Sequence, residues 1–109
     1  MAISSAAQGS QQAVIGQEHV LVQQIGLAGI YVLLVSTNNM QAWDILNFKM
    51  KTKRSSCDTL NIAYQYTYAD VQVENNKYSV PVPVDTEIDC TLMQVAGVGR
   101  IFLWKLLRA

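Results

Sequence analysis

Apolar and polar side chains alternate along this chain with a period of two. Across residues 45–51, Leu46, Phe48 and Met50 fall on one side while Asn47, Lys49 and Lys51 fall on the other, the pattern of a strand with one face on a core. Residues 87–95 set Ile88, Cys90 and Leu92 against Glu87, Asp89 and Thr91, and residues 100–107 bring Phe102, Trp104 and Leu106 to one face. Residues 18–25 alternate more loosely; residues 60–69 line up Leu60, Ile62, Tyr64, Tyr66 and Tyr68. Strand-like runs recurring about every 8–12 residues predict a sandwich or barrel. No 3.6-residue period argues for a helix.

Some stretches depart from simple alternation. "IYVLLVS" at residues 30–36 is apolar on both faces, so one face must meet the opposite sheet and the other an arm, a loop or another subunit. "YSVPVPV" at 78–84 carries Pro81 and Pro83, which cannot donate ladder hydrogen bonds and place the segment at an edge. Residues 71–73 read as a short strand ended by the "ENNK" turn, and "TNNMQAWD" at 37–44 as a turn tucked in by Trp43. Residues 1–12 are small and polar, which predicts a flexible N-terminal arm. The expected architecture is all-β: an antiparallel, jelly-roll-like sandwich of seven to eight strands over residues 13–109.

"AGVGR" at 96–100 raises the question of phosphate binding. A phosphate cradle needs a helix N-terminus behind its glycines, and here a strand follows. The stretch therefore reads as the turn of a terminal hairpin, with Gly97 and Gly99 at positive φ.

Composition sharpens the picture. A chain of 109 residues is one domain. Its residues are 50% hydrophobic and 15% charged, against about 25% charged in a typical domain, and a surface so poor in charge favours association. Lys+Arg and Asp+Glu both number 8, so the long-range attraction of a nucleic-acid binder is missing and no nucleic acid is expected as partner. No apolar run reaches the ~18 residues of a membrane span, and the start lacks the basic and apolar regions of a signal peptide; no membrane partner is expected, and synthesis in a cytoplasm is implied. Cys57 and Cys90 lack metal-binding spacing, with Cys90 reading as a buried hydrophobe and Cys57 as a loop residue.

Candidate chemistry is sparse. His19 is the only histidine and no serine sits in a G-x-S-x-G elbow, so no catalytic, cofactor or metal residue is expected. Asp85, Glu87 and Asp89 share one spacing and Lys49, Lys51 and Lys53 another, so an acidic and a basic row either face each other across strands or subunits or are solvated faces. Tyr64, Tyr66 and Tyr68 form a row suited to a core face or an interface, with stacking on a sugar or base as the alternative.

The order of motifs from "GIYVLLVSTNNMQAWDILNFKMKTK" to "PVPVDTEIDCTLMQVAGVGRIFLWKLL", about residues 29–107, resembles a family of small virion proteins of tailed bacteriophages. Its pattern is a G-x-Y-x-L-x-V strand, an L-x-x-G-D turn, a basic strand, a Pro-Val stretch and a T-L-x-Q-x-x-G-x-G-R ending followed by an aromatic and Trp. Trp43 stands where that turn has glycine. The resemblance implies a capsid decoration or cement protein on the exterior of a virion, bound to the major capsid protein, acting without catalysis and self-associating, with a trimer expected. A head-to-tail connector or tail component and a carbohydrate-binding module for host attachment are the alternatives. The contact residues expected are Ile3, Gln8, Gln11 and Gln12 on the arm, then Tyr31, Tyr64, Tyr66 and Tyr68, with Lys49, Lys51, Lys53 and Arg54 directed at acidic neighbours.

Overall fold

The computed structural model describes residues 3–25, 28–53, 55, 57 and 59–109, without the side chains of Gln24 and Ile25. Among these residues the chain is all-β, with nine strands: β1 (Ser4–Gln12), β2 (Glu18–Ile25), β3 (Gly29–Ser36), β4 (Ile45–Thr52), β5 (Asn61–Ala69), β6 (Asn76–Tyr78), β7 (Val82–Val84), β8 (Glu87–Ala96) and β9 (Ile101–Arg108). One sheet has the order β1-β9-β3-β6, with β7 also on β3; the other has the order β2-β8-β4-β5. Every pairing is antiparallel. β6 and β7 occupy successive stretches of one edge position, and with that the order is that of a jelly roll.

The alternation read from the sequence builds the core. Tyr31, Leu33 and Val35 of β3, Leu46, Phe48 and Met50 of β4, Ile88, Cys90 and Leu92 of β8, and Phe102 and Leu106 of β9 are all fully buried, each contributing about 1.5–3 kcal/mol of transfer free energy if aliphatic or aromatic. In β2 the apolar run is accommodated by a bulge between Val20 and Val22, which turns Val20 outward, 62% exposed, while Leu21 and Val22 pack on the core.

Several expectations are corrected. Residues 4–12 are a strand paired along β9, not a free arm. Main-chain ladder bonds need no apolar side chains, and Gly9 lets the strand lie close over the Trp104 indole, where a Cβ would come within 3.2 Å. Tyr31 is core rather than contact surface, because β3 turns it inward between Leu33 and the opposite sheet. Residues 71–73 form no strand. The hairpin at 96–100 is a crossover, since β8 and β9 lie in different sheets; of its glycines Gly97 has positive φ (96°). Trp43 is not tucked in but 82% exposed, and Met40 fills the space beneath the turn.

Candidate interaction surface at one end of the sandwich

Four connections meet at one end of the jelly roll: residues 13–17, 37–44, 70–75 and 97–100. Hydrogen bonds tie each to the next. Ala13 N–H donates to Arg100 O (2.8 Å), Thr37 N–H to Asn75 O (2.6 Å), and Asp70 N–H to Asp44 O (2.8 Å). The Asn39 amide donates to Ile101 O (2.8 Å), and His19 Nε2 accepts from Val14 N–H (3.1 Å). These bonds link the four connections into one network.

Asp44 is the hub. Its carboxylate is buried and accepts from Gln41 N–H (2.9 Å), Val98 N–H (3.1 Å) and Arg100 Nε (2.9 Å). Burial pushes its pKa upward, but the Gln41 N–H, the Arg100 guanidinium and the Val98 N–H outweigh burial and hold it below the usual value. Gln94, also buried, donates to Ala96 O (3.1 Å) and Val98 O (2.7 Å) and accepts from Arg100 N–H (3.0 Å). A Cβ at Gly97 would fall inside the Asp44 carboxylate, and one at Gly99 would lie 2.6 Å from Ala13 O. The glycines and arginine of "AGVGR" serve this brace; Arg100 is already committed to Asp44.

Above the brace, each loop carries exposed apolar side chains: Val14 (53%) and Ile15 (42%), Trp43 (82%), Val71 (61%) and Val73 (94%), and Val98 (64%). Loop tips are ordinarily polar, so exposed apolar side chains on all four connections set this end apart. Trp43 has φ 75°, a left-handed conformation that is a true outlier for a bulky residue. It is locked by its N–H donating to Asp70 Oδ1 (2.7 Å). Trp43 thus stands where glycine would be at ease and tryptophan is held at a cost.

The residues anticipated from sequence do not gather into one site. Ile3 is exposed beside the first strand, at the opposite end; Gln8, Gln11 and Gln12 lie along β1; Arg54 lies outside the described residues. Lys49, Lys51 and Lys53 occupy the outer face of the β2-β8-β4-β5 sheet, but Lys49 and Lys51 reach Glu18 (3.5 and 3.1 Å) and Lys53 reaches Glu87 (3.1 Å). Glu18 of β2 takes up Lys49 and Lys51, and Glu87 is the member of the acidic row that meets a lysine, so these cations are engaged within the chain. Glu87 also accepts from the Gln23 amide (2.9 Å); that bond first, and Lys53 among the others, lowers its pKa despite burial. Asp89 beside it goes the other way, pushed up to about 6 by burial and then by the hydrogen bond and charge of Glu87. Its Oδ1 and the neighbouring Thr91 Oγ1 are buried without hydrogen-bond partners.

Tyr64 and Tyr68 pack against Phe48 (ring centroids 6.0 and 5.8 Å), and Tyr66 is 51% exposed. Cys57 and Cys90 are both free thiols, Cys57 exposed and Cys90 buried; burial pushes the Cys90 thiol up to about 12. Among the described residues no group of three His, Cys, Asp or Glu side chains is placed to hold a metal ion.

The loop-end residues were missed by sequence reasoning, although a signal was there: β-branched and aromatic residues set singly among turn formers, as in "AVIGQ", "QAWD", "DVQVE" and "GVG". Comparison of the chain with protein-family models, with curated proteins and with solved structures gave no match in any of the three.

Proposed function

We propose that this protein is a non-catalytic binding subunit of a virus particle, a decoration protein that seats its four-loop end on the major capsid protein shell. The observation that carries the binding part of this reading is the set of apolar tips mounted on a prefolded polar brace. Ordering costs are met in folding rather than on association, and Trp43 has the size and exposure of an interface anchor. Jelly rolls are an architecture of viral capsid and lectin domains, which agrees with the motif resemblance. Many identical shallow contacts on a symmetric shell add up through valency.

The test is addition of purified protein to shells assembled from the major capsid protein, followed by sedimentation of the particles. Trp43→Ala and Val73→Asp should each abolish co-sedimentation while the isolated variants remain folded. Full retention of both would remove the loop end from the reading. Retention of the wild type on glycan surfaces but not on shells would favour the host-attachment alternative.

A further inference from the structure

The four sheet edges of this molecule are not alike. β6 and β7 are three residues each, and Pro81 and Pro83 lie along that edge. β2 is bulged and carries Glu18. β1 is uncharged and free of proline, but its side chains are Ser, Ala, Gly and Gln, with little to bury. β5, NIAYQYTYA, is nine residues without a charge or a proline and is paired on one side only, by β4. Natural proteins blunt such edges. Here a bulge opposite Met50 and Lys51 falls at Ala63, leaving residues 64–69 regular.

This edge also has apolar surface beside it. The inner-face residue Tyr66 is 51% exposed, and Ile62, which the bulge places opposite Lys51 on the outer face, is 50% exposed. Asn47 Nδ2 donates to Tyr66 O (3.3 Å), placing the polar groups of Tyr66 on the β4 side. In an antiparallel ladder the alternate residues Gln65 and Thr67 then direct N–H and C=O outward.

We infer that β5 is a homodimer interface, in which two copies pair this edge antiparallel about a two-fold axis at Tyr66. Gln65 then lies opposite Thr67 of the second copy, exchanging main-chain hydrogen bonds in both directions, and Tyr64 lies opposite Tyr68, so the half-exposed aromatic rows close on each other. A second copy fits where other occupants do not, because the edge is self-complementary in hydrogen bonding, carries no charge to repel itself and presents the same apolar face from both sides. The loop end stays free, so this pairing and shell binding are read by separate experiments.

Sedimentation equilibrium of the full chain should show a dimer. Gln65→Lys with Thr67→Lys places like charges opposite each other and should weaken that dimer about tenfold or more with an unchanged circular dichroism spectrum. Tyr66 pairs with itself at a non-hydrogen-bonded position, where Cα atoms lie about 4.5 Å apart, within disulfide reach. Tyr66→Cys in a Cys57→Ser background should therefore form a covalent dimer on mild oxidation, and Ser10→Cys on β1 should not. A monomer at about 100 μM, a dimer indifferent to the lysine pair, or cross-linking through residue 10 instead of 66 would overturn the assignment.

Discussion

The loop end and the outer face of the β2-β8-β4-β5 sheet are both unusual surfaces, and they differ in where their partners are. On the sheet, Lys49, Lys51 and Lys53 find Glu18 and Glu87 within the chain. At the loop end the polar groups are equally well served, by Asp44 and Gln94, but the apolar groups above them are not: Trp43, Val73 and Val98 stand in solvent. A charged row that is neutralised at home says little about partners, since exposed pairs contribute about 0–1 kcal/mol each. Exposed apolar side chains held by a rigid, strained frame say more, because folding alone does not favour them.

The largest expected effect breaks the frame. Asp44→Ala leaves Arg100 and two N–H groups without their acceptor and should destabilise the fold by about 3–5 kcal/mol in chemical denaturation. Because the folded pKa of Asp44 lies below its ordinary value, the stability it confers is present above pH ~4 and is lost as pH falls through the folded value. The variant should lack that acid-side decline.

Next comes the charged face, where one carboxylate opposes the trend. Asp89 is raised from 3.8 to about 6, so its contribution is fully present below 3.8, declines as pH rises toward 6 and is flat above. Asp89→Asn should therefore stabilise the protein by about 1–3 kcal/mol at pH 7 and above, with the gain shrinking toward pH 4. A variant no more stable than wild type at pH 8 would contradict the burial argument.

A smaller effect separates stability from binding at the loop end. Trp43→Gly relieves the left-handed strain and should raise stability by about 1 kcal/mol while abolishing shell co-sedimentation. Loss of stability instead would mean that Trp43 supports the fold, against its exposure. The smallest effect belongs to the lysine row. Lys49→Ala leaves Lys51 on Glu18 and should change stability by less than about 0.5 kcal/mol, with shell binding unchanged.

Much of the fold was legible in the residues. Alternation placed β2 at its observed bounds and β4, β5, β8 and β9 within a residue or two, because a strand that buries one face must repeat every second residue. The two prolines marked an edge. The basic row was found by spacing, although its partners, Glu18 on β2 and Glu87 on β8, depended on the strand order β2-β8-β4. β1 escaped detection because an edge strand is held by main-chain bonds that composition does not encode. The loop end escaped because an isolated valine in a turn looks the same whether it is covered or bare.

By itself, then, the sequence determined that the chain is all-β, which faces of the central strands are inward, and that charge is too scarce to cover its apolar content. Those are local properties, written in periodicity and composition. Only the tertiary structure decided that β8 crosses to the other sheet instead of folding back as a hairpin, that "AGVGR" closes around Asp44, and that four distant turns converge with their apolar residues outward. Convergence of segments as far apart as Val14 and Val98 is fixed by strand order, which pairs residues through main-chain hydrogen bonds and core packing rather than through any nearest-neighbour pattern.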